Sequence, residues 1–215
     1  MRKLVVPLQV VSQFETVFDR IKLLLEKGAM AVIDQVNWRD LYPGELPVNV
    51  RAAHDGEVLY LYYTIKGEAV SAQHRNDFDP VWKDSCVEFF MQREGDIHYR
   101  NFECNILGAL LAARHETRES AEQLTEEVTS IFRFATINHH YLEGRELSDW
   151  SLYLEIPKKA MGFDTGESLS GHKIRANFYK CGDETPEPHY ISWSPINLPN
   201  PDFHVPHFFG LLEFA

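Results

Sequence analysis

Trp82, Asp84 and Glu88 lie within the stretch VWKDSCVEFF, Val81 to Phe90. An indole followed by two acids can cover the apolar C–H face of a polyhydroxylated ring while carboxylates accept from its hydroxyls. From Ser85 onward the residues alternate. Ser85, Val87, Phe89 and Met91 point one way, and Cys86, Glu88, Phe90 and Gln92 the other, as in a β-strand. Glu88 therefore stands mid-strand on a mostly apolar face and needs hydrogen-bond or charged partners there. The competing expectation is a salt-bridged core glutamate beside a packing tryptophan.

Two further strand-like runs supply polar rows. Tyr99 to Ile106 directs Phe102, Cys104 and Ile106 to a core and Tyr99, Asn101, Glu103 and Asn105 to the opposite face. Lys173 to Lys180 carries Arg175, Asn177 and Tyr179 on one face. If these strands share a sheet with Glu88, one surface presents acids, amides, a guanidinium and phenols, a set that suits ligands whose hydroxyls both donate and accept. An ordinary solvated sheet face is the plainer alternative. Glu88 and Glu103 on neighbouring strands could also meet the spacing of a glycosidase pair, although nothing else marks a hydrolase.

Other chemistries find little support. The ten histidines include His139-His140 and the His204/His207 pair, but Pro206 prevents a helical metal motif at the latter and no third ligand is apparent. Acids are plentiful enough to leave structural calcium open, yet no D-x-D-x-D-G loop occurs. No G-x-S-x-G elbow is present. Cys86, Cys104 and Cys181 sit in strand-like runs and read as buried free thiols. A formal net charge of −11 argues against nucleic acid or an anionic membrane as partner. The N-terminal run MRKLVVPLQVV does not read as a signal peptide, and no stretch is long and apolar enough to span a bilayer, which favours the cytoplasm slightly.

The elements that would position these residues are mostly strands. A helix is expected from Ser12 to about Lys27, with Ser12 and Glu15 as a capping box and Gly28 as its stop. Val58 to Ile65 reads as a central strand, 85–92 and 99–106 as a hairpin, and Phe132 to Asn138, Trp150 to Ile156, Tyr190 to Trp193 and Phe208 to Phe214 as further strands. A second helix is expected over about Ser120 to Phe132. The proline-rich SPINLPNPDFHVP reads as an ordered surface strap. At 215 residues and 44% apolar content the chain fits one β-sandwich domain of jelly-roll or immunoglobulin-like type over 1–215, with 1–33 as an N-terminal helical extension and one inserted helix.

Taken in order, VWKDSCVEFF, YRNFECNILG, RANFYKCGD, and HYISWSPI followed by PDFHVPHFFGLLEF make the chain resemble the carbohydrate-binding module family nine-like proteins, in their stand-alone bacterial branch, over roughly residues 34–215. The resemblance implies a DOMON-like β-sandwich that binds the end of an oligosaccharide or polysaccharide without catalysis. It further implies two tryptophans that sandwich the terminal sugar, polar strand residues on its hydroxyls, and calcium in a structural role. By position Trp82 resembles the first plate, Glu88 the acid after it and Trp193 the second plate, with Arg175 and Asn177 as polar partners.

Overall fold

The computed structural model describes residues 1–215. Its strands in chain order are β1 (Lys3–Val6), β2 (Ala29–Ile33), β3 (Gln35–Val36), β4 (Val48–His54), β5 (Val58–Glu68), β6 (Cys86–Arg93), β7 (Tyr99–Asn105), β8 (Leu110–His115), β9 (Glu122–Gln123), β10 (Phe132–Leu142), β11 (Arg145–Pro157), β12 (Lys173–Gly182), β13 (His189–Ser192) and β14 (Gly210–Phe214). Two helices, α1 (Val17–Lys27) and the single turn α2 (Thr125–Val128), interrupt them. The strands form two sheets. The larger follows the order β1-β14-β12-β6-β7-β8-β9, with β13 paired to β12 and β3 paired to β13. The smaller follows β10-β11-β5-β4-β2.

The two-residue period decides what lies between the sheets. Val87, Phe89 and Met91 of β6 and Phe102 and Cys104 of β7 join Leu59, Leu61, Tyr63 and Ile65 of the central strand β5 in one core. The alternate residues Cys86, Phe90, Tyr99, Tyr179 and Cys181 are buried as well, on the far face of the larger sheet, against Trp38, Ile196, Phe203, Val205 and Phe209. Ile196, Phe203 and Val205 of that second layer come from the proline-rich strap, which is ordered as its sequence suggests, and Trp38 and Phe209 flank them from other segments. The larger sheet is thus buried on both faces, and its outer face forms a second compartment.

Both expected helices differ from the sequence reading. Ser12 lies in a separate 3-10 turn, Val11–Gln13, and α1 begins five residues later, with Thr16 as its cap. Thr16 Oγ1 accepts from the Asp19 backbone N–H at 3.1 Å, so Thr16 and Asp19 take the role expected of Ser12 and Glu15. The stretch 120–132 is largely not helical. Glu122 and Gln123 pair with Arg114 and Ala113, and the Leu124 N–H donates to the Ala112 carbonyl at 2.9 Å. The Thr129 and Ser130 hydroxyls bond back to the Glu126 and Glu127 carbonyls and close α2 after one turn. Residues 1–33 are built into the sandwich: β1 pairs in parallel with β14 of the larger sheet, and β2 pairs with β4 of the smaller.

One charged cluster crosses the core. Lys180 of β12 donates through Nζ to Glu68 Oε1 of β5 at 2.8 Å, to the Cys181 carbonyl at 2.8 Å and to His189 Nε2 at 2.7 Å. Trp150 Nε1 donates to the other Glu68 oxygen at 2.6 Å. An ammonium can only donate, so His189 Nε2 is the acceptor and its Nδ1–H serves the Glu187 carbonyl at 2.8 Å. Burial pushes the Glu68 carboxyl up, but the Lys180 ammonium outweighs it and holds the group below its ordinary value. Lys180→Met leaves Glu68 buried without its cation. It should lower unfolding stability by about 3–5 kcal/mol, much of it recovered by adding Glu68→Gln, as read by urea denaturation.

Candidate functional site

The outer face of the larger sheet carries a cavity of about 390 Å³. Its floor is Glu88 and Phe90 from β6, Asn101 and Glu103 from β7, and Ala113 and His115 from β8. Trp82 walls one side from the 3-10 turn Val81–Lys83 that precedes β6. Tyr190, Phe203 and His204 contribute further ring walls, and Arg118, Asp183 and Asp202 line it as charged groups.

The strap segment is held by aromatic packing and hydrogen bonds. Phe203 stacks on Tyr179 with centroids 4.0 Å apart and rings 7° from parallel, while the Tyr179 hydroxyl donates to the Phe203 carbonyl at 3.2 Å. Trp38 Nε1 donates to the Leu198 carbonyl at 2.8 Å. His204 Nδ1 lies 2.9 Å from the Tyr99 hydroxyl, and Tyr99 stacks on His115 at 4.9 Å. Burial drops the His204 imidazole to about 3, so it is neutral at ordinary pH. On the entrance side, Asp84 accepts from the Gln73 and His74 backbone N–H groups and from Asn105 Nδ2 at 2.8–2.9 Å, fixing the turn that presents Trp82.

At the centre stand two acids. Glu88 and Glu103 are direct cross-strand partners, and both are buried. Glu88 Oε1 accepts from the Cys181 thiol at 2.9 Å and Glu103 Oε1 from Asn101 Nδ2 at 2.7 Å. Each leaves Oε2 buried with no protein partner. Burial above all, and then the neighbouring Glu103, hold the Glu88 carboxyl well above its ordinary range. Burial, against the Asn101 hydrogen bond, lifts Glu103 to about 7.

The structure divides the expected site residues. Trp82, Glu88 and Glu103 line the cavity together. Tyr179 lies under Phe203 and supports the wall from behind. Asn177 is buried in a structural role, its amide bridging Ser194 N and O and the Phe178 N–H. Arg175 donates to the His207 carbonyl at 2.9 Å, four residues and roughly 13 Å along the strand from Tyr179. Trp193 is not opposite Trp82. It is 4% exposed and packs in the core between the sheets, edge-to-face with Phe178 at 5.7 Å. Gly210 admits it, because a Cβ there would come within 2.4 Å of the indole. The ring walls beside Trp82 are Tyr190 and Phe203, and Arg118 and Asp183 complete the polar lining. Sequence reading missed all four. They sit in loops or in the four-residue strand β13, too short for periodicity to say anything about direction.

The cysteines are all buried and free. Cys86, Glu88 and Cys181 place two sulfurs and a carboxylate oxygen within 4.8 Å of one another, the one such metal-ligating cluster. Sulfur donors suit a soft cation, whereas calcium takes oxygen ligands, so this cluster does not match the structural calcium that the resemblance implies.

Because Glu103 binds its proton more tightly folded than unfolded, its contribution to stability is full below about pH 4.5. It is lost as the pH rises through about 7. Glu103→Gln should therefore be more stable than the parent at about pH 8, by at most about 3 kcal/mol, and nearly equal to it at about pH 4. Denaturant melts at the two pH values check the sign.

Similarity to known proteins agrees with this architecture. A protein of Bacteroides uniformis, described as a candidate carbohydrate-binding protein, has a crystal structure that superposes with a TM-score of 0.87 at 37% identity, covering 100% of this chain and 99% of that one. Two structures of a family 9 module from Caldicellulosiruptor kristjanssonii also share the fold. The glucose complex has a TM-score of 0.59 at 10% identity, covering 100% of this chain and 96% of that one. The cellotriose complex has a TM-score of 0.62 at 9% identity, covering 99% and 93%. No curated protein matches the chain. The family model described as carbohydrate-binding family 9 matches residues 18–214, and the chain belongs to that family.

Proposed function

We propose that this protein binds a saccharide without catalysis, holding a sugar-chain end or small sugar in the cavity beside Trp82. The observation that carries the reading is the pair of buried, partnerless oxygens, Glu88 Oε2 and Glu103 Oε2, in a cavity with ring walls. A buried polar atom without a partner is costly, and sugar hydroxyls, which both donate and accept, would supply the missing partners. Trp82, Tyr190 and Phe203 would cover the apolar faces of the ring. Family membership and the sugars bound by the Caldicellulosiruptor modules support the same chemistry.

Glycoside hydrolysis fits the acids less well. It requires one carboxyl that keeps its proton and one that stays ionised or activates water. Here burial raises both, so neither is prepared as the ionised partner.

Calorimetric titration with glucose and with cello- and xylo-oligosaccharides should show binding in the micromolar to millimolar range. Trp82→Ala should weaken it at least about tenfold with little change in melting temperature, since the indole is half-buried at the cavity wall. Trp193→Phe should do the reverse, lowering the melting temperature while leaving affinity within about twofold. Full retention of affinity by Trp82→Ala would remove the stacking role.

A further inference from the structure

Two of the three cysteines meet on the outer face of the larger sheet. Cys86 of β6 and Cys181 of β12 are directly opposed across the antiparallel pair, and Glu88 follows Cys86 by two residues on the same face. The two sulfurs and a Glu88 carboxylate oxygen lie within 4.8 Å of one another. With Zn–S bonds of about 2.3 Å, the sulfurs of a tetrahedral site stand roughly 3.8 Å apart, inside that separation. Cys104 supplies the contrast. It points into the core between the sheets, packed among apolar side chains as an isolated buried thiol.

Apolar packing accounts for Cys104 but not for the company of the other two. Cys86 Sγ makes only a long contact with the Val87 carbonyl at 3.6 Å and otherwise faces Cys181. Cys181 Sγ donates to Glu88 Oε1 at 2.9 Å. Glu88 Oε2 has no protein partner, on a residue 3% exposed. A carboxylate buried beside two sulfurs, with one oxygen unserved, is a costly way to fill space and an ordinary way to hold a cation. Access is also provided. Cys181 and Glu88 line the cavity, with Cys86 buried behind them, so an ion can enter from the cavity and keep one position open to it.

The donor set selects the ion. Two sulfurs and one oxygen exclude calcium and magnesium, which take oxygen ligands, and suit a thiophilic ion such as zinc. We propose that Cys86, Cys181 and Glu88 form a zinc site on the cavity wall, with the fourth coordination position open to the cavity. Glu88 ligates through Oε1, the oxygen that accepts from Cys181 in the metal-free chain. Burial keeps both thiols protonated before the ion arrives, and both protons pass to solvent as the two Zn–S bonds form. The two thiolates then balance the charge of the ion. The site needs no sugar, so it stands independently of the saccharide reading.

The test uses the reduced chain, stripped of metal with a chelator. Cobalt(II) should produce sulfur-to-metal charge-transfer absorption that saturates at one equivalent, and zinc should abolish it by displacement. X-ray absorption on the zinc-loaded protein should count two sulfurs at about 2.3 Å. Cys86→Ala and Cys181→Ala should each weaken zinc binding at least about a hundredfold and Glu88→Gln about tenfold, while Cys104→Ala should stay within about twofold of the parent. Circular dichroism shows which variants are folded, and the sulfur count on the parent decides the matter if the cysteine variants are not. Absence of charge transfer, zinc without sulfur neighbours, or undiminished binding by folded Cys86→Ala or Cys181→Ala overturns the site. None of these readouts involves a saccharide, so the saccharide reading stands or falls separately.

Discussion

The ion pair between Lys180 and Glu68 sets the register on which the cavity depends. Residues 180 and 181 are neighbours on β12 and so point to opposite faces of the larger sheet. Lys180 enters the core, where Glu68, Trp150 and His189 satisfy it, and Cys181 enters the cavity, where it meets Glu88. A slip of one residue would send the ammonium to the cavity and strip Glu68 of its cation. An apolar core tolerates such slips more readily than one built around a charge that only one register can pair. The cluster thereby fixes Tyr179 opposite Glu88 and beneath Phe203, which are the two relationships that shape the cavity.

With the register fixed, the outer face of the sheet is withdrawn from water by the strap. The consequence is electrostatic. Glu88 and Glu103 would be an unremarkable pair of acids on a solvated strand face, but in a covered compartment each carboxylate loses hydration and feels the other. Their protein partners satisfy one oxygen apiece. The strap therefore does more than close a wall: it converts two ordinary glutamates into a buried pair that holds its protons more tightly than exposed glutamates would.

The strand faces were legible because a period of two is a local property, and the rows that begin at Glu88 and Tyr99 lie where alternation puts them. The strap was legible from its prolines. The roles of the tryptophans were not. Trp82 and Trp193 both precede Asp/Ser-containing turns, and only the bare Gly210 on a strand distant in sequence admits Trp193 to the core. The helix expected over 120–132 failed because Ala121, Leu124, Val128 and Ile131 also suit an edge pairing followed by a single turn, and the β8 edge was available to take it. Arg118, Asp183, Tyr190 and Phe203 come from four segments that meet only in three dimensions, so no spacing rule could gather them.

The same arrangement bears on which part of a ligand the cavity can accept. A groove that binds the middle of a polysaccharide is open at both ends and leaves its polar side chains within reach of water. Here the decisive oxygens lie at the floor, 3–4% exposed, beneath walls contributed by the Trp82 turn, the Tyr190 strand and the strap. At about 390 Å³ the space is at the small end of ligand cavities. Phe203, stacked on Tyr179 and hydrogen-bonded to it, is one of those walls. In the proposed saccharide reading, a cavity of this size with a buried floor suits a chain end or a small sugar, and its shape comes from packing that lies outside the ligand's own contacts.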